Sequence, residues 1–141
     1  MESKDTEDLR KELLSGIGID SYLNRNRECF VKNDITDLIF IYYEQQNMSK
    51  AVLARQSGMS ETYLHQIFSG RRKPSRDKII CLCIGMELSI EETQKLMKDA
   101  GFAPLYLKNR REAIIYYGIL NHQSIEKIND KLFDKNEKTL C

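Results

Sequence analysis

The sequence predicts an all-α fold, and three observations predict it. Apolar residues recur at intervals of three and four within short stretches, and no window alternates apolar and polar residues with the period of a strand. A serine stands directly ahead of four of those stretches, at Ser49, Ser60, Ser89 and Ser124, where a helix N-cap belongs. With 141 residues, 41% hydrophobic and 30% charged, the chain can bury one modest core with helical extensions but not a second large domain.

The elements follow in order. Leu9 and Leu13, one turn apart, mark a helix over about Asp5–Leu14, which SGIGID interrupts with two glycines. Ile35, Leu38, Ile39, Tyr42 and Tyr43 form an apolar stripe on a helix over Ile35–Gln46 that Asp34 can cap. Ser49 caps a short helix carrying Val52, Leu53 and Gln56. Gly58 ends it, since a residue without Cβ readily takes the left-handed conformation needed there. Ser60 caps the next helix, with Leu64, Ile67 and Phe68 inward and Glu61, Thr62, His65 and Gln66 toward solvent. Two short helices joined by a glycine turn make a helix-turn-helix at roughly residues 49–69. Further helices are predicted at Arg76–Gly85, at Ile90–Ala100 behind the capping box Ser89-Ile90-Glu91-Glu92, at Asn109–Leu120, and at Ile125–Lys135 with Ile125, Ile128, Leu132 and Phe133 inward.

Composition narrows the functional classes. No apolar run approaches the roughly 18 residues that span a bilayer. The polar start MESKDTEDLRKE lacks the basic and apolar regions of a secretion signal, so a cytoplasmic location is expected. Cys29, Cys81, Cys83 and Cys141 are too irregularly spaced for a disulfide framework and are expected to be free thiols, Cys81 and Cys83 as small buried hydrophobes in IICLCIGM. His65 and His122 are isolated from other ligands, so no metal site and no cofactor are expected. No phosphate-binding glycine loop, nucleophile elbow or His-Glu-x-x-His motif is present, and no catalytic residues are assigned.

Charge is unevenly distributed. Residues 48–78 hold seven Lys or Arg against two acids, a net of +5 in a chain whose total is +1, which leaves −4 for the rest. A basic stripe on a neutral to acidic body is the footprint of a surface that meets phosphates.

Residues 49–75 resemble the helix-turn-helix of the phage repressor and Cro family, the Xre-like regulators. The family's Leu-Ala appears as Leu53-Ala54, its Gly-Val-Ser turn as Gly58-Met59-Ser60, its buried aliphatics as Leu64 and Ile67, its terminal glycine as Gly70 and its Pro-Ser as Pro74-Ser75. A later Leu-Gly-Val-Ser-Leu-Asp-Glu pattern is echoed in Ile84-Gly85-Met86-Glu87-Leu88-Ser89-Ile90-Glu91-Glu92. The resemblance implies a five-helix core with helical extensions at both ends. It also implies a sequence-specific double-stranded DNA-binding transcriptional regulator that reads the major groove with the helix starting at Ser60.

By the same resemblance Glu61, Thr62 and Gln66 sit where base edges are touched, with Tyr63 and His65 beside them. Gln can pair bidentately with adenine, Thr can meet a thymine methyl, and Glu can accept from cytosine N4. Lys50, Ser60, Ser69, Arg71, Arg72 and Lys73 fall where the phosphate backbone is gripped. Three positions depart from the family pattern. Lys50 replaces a common Gln and can still meet a phosphate. Glu61 disfavours sequence-independent binding, because a carboxylate in a phosphate-lined groove needs a cytosine amine. Phe68 stands where Glu is frequent and suggests an apolar contact between helix end and loop.

The chain is thus divided into an N-terminal helical arm at 1–33, a helix-turn-helix domain at 34–101 and a C-terminal helix pair at 102–141. A homodimer is expected, since one short helix reads few bases. Ile114, Tyr117, Ile128 and Leu132 either form its surface or complete the monomer core. The tyrosine pairs Tyr42-Tyr43 and Tyr116-Tyr117 extend helix stripes and read as packing rather than base-stacking residues. The alternative is a protein-interaction or antitoxin-like adaptor that retains the helix-turn-helix fold and holds a partner through 102–141.

Overall fold

Five serines open helices in the computed structural model, which describes residues 4–27 and 35–141. Ser49, Ser60, Ser75, Ser89 and Ser124 each turn a hydroxyl oxygen to accept the backbone N–H three residues on, satisfying a donor that the first helical turn leaves free. Among the described residues all regular structure is helical: α1 (Thr6–Leu14), α2 (Ile19–Arg25), α3 (Ile35–Gln45), α4 (Lys50–Gln56), α5 (Glu61–Phe68), α6 (Arg76–Gly85), α7 (Ile90–Asp99), α8 (Arg110–Leu120) and α9 (Ile125–Asp134). The all-α expectation and the five-helix core, α3 to α7, are what is found. None of the described helices is long and apolar enough to cross a membrane. Asp34, expected to cap α3, and Cys29 lie outside the described residues.

The described residues gather into two compact units, one holding 4–27 and the other 35–141. In the first, Asp5 caps α1 by accepting the Asp8 N–H at 2.8 Å. Asn26 donates to the Glu12 carboxylate at 2.7 Å and accepts from Lys4 at 2.8 Å, while Lys4 also pairs with Glu12. The hydrogen bonds from Lys4 and then Asn26 hold the Glu12 carboxyl below its ordinary value. Beyond the SGIG interruption the chain resumes as α2, which the sequence reading did not foresee: only Tyr22 of its seven residues is buried, so it carries no stripe to detect.

In the second unit, α6 is the hub. Residues Ile79 to Gly85 are all buried, so the helix is apolar on every side and needs cover all round. It gets that cover from α4, α7 and α9, with α8 packed on α7 and α9, and α3 on α5 and α7. One continuous apolar cluster runs from Ile39 through Leu53, Leu64, Ile67 and Leu82 to Ile115, Ile128, Leu132 and Leu140. Ile128 and Leu132 are therefore spent on the chain's own core, Ile114 packs partly against it, and Tyr117 is exposed. The α8–α9 crossing is close: a Cβ on Gly118 would lie 2.4 Å from Cγ1 of Ile128. Phe133, expected inward, is 76% exposed, because α9 covers the core with Ile125, Ile128 and Leu132 alone.

Two reciprocal ion pairs join the first turn of α6 to the first turn of α8. Arg76 reaches both oxygens of Glu112 at 2.6 and 3.0 Å and also donates to the carbonyls of Ala103 and Pro104. Arg111 reaches both oxygens of Asp77 at 3.2 and 3.0 Å and donates to the carbonyls of Lys138 and Thr139. Paired and planar, these guanidiniums match the bidentate geometry that makes Arg–carboxylate contacts strong. Arg76 in particular holds the Glu112 carboxyl below its ordinary value.

Candidate nucleic-acid interface

Residues 50–73 build the candidate surface from three local devices. Ser49 starts α4, and Gly58, with φ of 69°, turns the chain after it. Ser60 then starts α5 by accepting the Tyr63 N–H at 3.1 Å. Buried Leu64 and Ile67 fix the rotation of α5 on the core, which leaves Glu61, Thr62, His65 and Ser69 on one exposed face at helical spacing. Thr62, His65, Gln66, Ser69 and Arg71 line an open concavity of about 320 Å³ there.

The basic loop is folded back against that helix. Gly70, with φ of 78°, ends α5, and the backbone N–H groups of Arg71 and Arg72 both bond the Gln66 carbonyl, at 3.0 and 3.2 Å. Arg72 then donates through Nε to Oε1 of Gln66 at 2.9 Å, and its guanidinium lies 5.0 Å from the Tyr63 ring centre. Lys78, from the first turn of α6, approaches the Tyr63 ring at 5.4 Å. Two cations thus lie against Tyr63, one from the loop and one from α6, and neither makes an ion pair with a carboxylate among the described residues.

Each candidate residue has a place. Glu61, Thr62 and His65 are exposed, and Tyr63 and Gln66 are half-buried. Arg71, Arg72 and Lys73 are all exposed on the loop that leaves α5. Ser60 and Ser69 use their hydroxyls on the helix itself, Ser69 donating to the Gln66 carbonyl at 3.1 Å. Lys50, in the first turn of α4, lies 5.3 Å from the Phe68 ring. Phe68 itself packs on α3 rather than on the loop, with Phe40 and Tyr43 ring centres at 5.9 and 5.1 Å, which corrects the contact expected of it. Lys78 was counted in the basic stripe but not as a site residue, and only its approach to Tyr63 singles it out. Arg76, from the same stripe, is withdrawn into the ion pair with Glu112.

No group of three or more His, Cys, Asp or Glu side chains among the described residues is arranged to hold a metal ion. Cys81 and Cys83 are buried, as expected, and burial pushes both thiols up to about 12. Compared with known proteins, residues 39–92 match the family model described as helix-turn-helix. No curated protein and no solved structure matches the chain.

Proposed function

We propose, from the premise that residues 39–92 form a helix-turn-helix domain of the phage repressor and Cro type, that this chain is a sequence-specific DNA-binding transcriptional regulator. The observation that carries the proposal is the exposed polar face of α5 standing beside the exposed cations of residues 71–73. In this reading α5 enters the major groove, where Thr62, Glu61 and Gln66 face base edges with Tyr63 and His65 beside them. Arg71, Arg72, Lys73 and Lys50 meet the phosphates that flank the groove, joined by the hydroxyl proton of Ser60 and, once it turns from the Gln66 carbonyl, that of Ser69.

The Arg72–Gln66 bond gives the assignment a mechanism. In the free protein Oε1 of Gln66 accepts from Arg72, so the amide is already oriented by the residue that approaches the backbone. Contact of Arg72 with a phosphate competes for that guanidinium and releases the amide oxygen for a base edge. Phosphate contact and base readout are coupled through one side chain. A homodimer, with two such helices, is part of the proposal because one α5 spans few base pairs.

The test has two arms. Binding to random duplex should fall steeply between low and moderate salt. Selection from a random duplex pool should yield a palindromic consensus if two copies bind together. Absence of any duplex binding at low salt overturns the reading. A second reading, a partner-binding adaptor acting through residues 102–141, is favoured by one observation: Tyr106, Leu107, Tyr117, Leu120 and Phe133 are all exposed there. That outcome would show as protein association without duplex binding.

A further inference from the structure

The segment after α9 folds back over the molecule and brings Cys141 to a thiol distant in sequence. Leu140 is buried in the core, and its N–H donates to Oδ1 of Asn129 at 2.8 Å. The Cys81 thiol, on α6, donates to the Leu140 carbonyl at 3.8 Å. Next along the chain, Cys141 is exposed as a residue, yet its sulfur accepts a hydrogen bond from Nδ2 of Asn129 at 3.2 Å and lies against Gly58. That sulfur belongs to the residue that directly follows the carbonyl to which the Cys81 thiol donates. One asparagine therefore holds the segment with its oxygen and the terminal sulfur with its nitrogen.

We propose that Cys141 and Cys81 form an oxidation site, at which hydrogen peroxide converts the two thiols into an intramolecular disulfide that staples residues 135–141 to α6. Cys141 reacts first. It is the accessible thiol of the two, whereas Cys81 is buried. Its thiolate attacks one peroxide oxygen, the S–O bond forms as the O–O bond breaks, and the departing hydroxide takes the proton the thiol shed to become water. The sulfur of Cys81 then attacks the Cys141 sulfur. The S–S bond forms, the S–O bond breaks, and a second water leaves with the Cys81 proton. Two thiols lose two electrons in all, and one peroxide is reduced to two waters. Burial of Cys81, whose thiol is pushed up to about 12, makes it the resolving thiol rather than the attacking one. Cys83 is excluded as the partner, because residues two apart on a helix face different directions. Asn129 is a positioning residue, since it touches the sulfur but undergoes no bond change.

The experiment is hydrogen peroxide treatment of the full chain, followed by alkylation and peptide mapping without reduction. The expected product is a monomer lighter by two hydrogen masses, with a Cys81–Cys141 linkage that dithiothreitol reverses. The linkage should be absent in Cys141→Ser, retained in Cys29→Ser and Cys83→Ala, and formed several-fold more slowly in Asn129→Ala. Closing so long a loop should raise the thermal midpoint of the oxidised protein by about 5 °C or more. A product in which Cys141 gains oxygen while Cys81 stays free, or any other pairing, including disulfide-linked dimers through Cys141, overturns the proposal.

Discussion

Arg72 and Arg76 lie four positions apart in the same basic run, yet the chain uses them differently. Arg72 lies on the surface against Tyr63 and Gln66, with no carboxylate among the described residues near enough to pair. Arg76, at the start of α6, is held by both oxygens of Glu112 and by two carbonyls, and its side chain is only 25% exposed. The difference teaches that a run of cations is not one functional unit. What decides each role is whether folding delivers an acid to it, and the acid that claims Arg76 comes from α8. The prediction with the largest effect breaks that contact. Arg76→Ala leaves Glu112 partly buried with the Tyr106 N–H as its remaining hydrogen-bond donor among the described residues. The loss should be about 2–3 kcal/mol of folding stability, below the roughly 3–5 kcal/mol of a fully buried pair because water reaches both groups. Denaturant unfolding measures it, and duplex affinity of the folded variant should be unchanged.

The opposite pattern is expected at the loop. Arg71→Ala with Arg72→Ala should weaken binding to all duplexes by roughly 10–100-fold at moderate salt and reduce the salt slope by about two. Stability should fall by no more than about 1 kcal/mol, because the contacts of Arg72 with Gln66 and Tyr63 are local and solvent-exposed. If the double variant unfolds easily or binds normally, the division between the two arginine classes fails.

This division also marks how far the sequence could be read. Helix starts, periods and the glycine turn were legible because they are local: Ser60 and the Tyr63 N–H are three residues apart, and Leu64 and Ile67 share a face by helical geometry alone. The face of α5 followed from them. What stayed hidden was pairing over long separations. Arg76 meets Glu112 across 36 residues, and Cys81 meets the Leu140 carbonyl across 59, with nothing in either local pattern to announce it. Phe133 misled for a related reason. Its spacing fits the α9 stripe, but the depth of the core at that end is set by α6 and α8, and three residues fill it.

Acid should separate the two regions without mutation. Glu112 is held below its ordinary value of 4.5, chiefly by the hydrogen bond from Arg76. Its contribution to stability is complete above that ordinary value. It is lost as pH falls below it, where the unfolded chain takes up the proton first, and is gone once the folded carboxyl is also protonated. Stability measured from neutral pH downward should therefore decline below about pH 4.5 in a step that Glu112→Gln flattens. The effect is smaller than removal of Arg76, because protonation leaves the side chain in place and able to donate or accept.

The smallest effect belongs to Lys78, and it sharpens the boundary between the two classes. This residue sits in the same first turn of α6 as Arg76 and Asp77, but its ammonium turns to the Tyr63 ring, on the side of α5. If position in the chain decided its role, Lys78 would behave like Arg76 and its loss would cost stability. If the partner decides, Lys78 belongs with the loop, because an aromatic face leaves its charge uncancelled. Lys78→Ala should then weaken random duplex binding by about two- to five-fold and lower the salt slope by about one, with thermal stability nearly unchanged. Lys78→Glu should weaken binding further, by placing a like charge against phosphate. A loss of stability with an unaltered salt slope would place Lys78 with the structural cations and shrink the candidate interface to α5 and the loop after it.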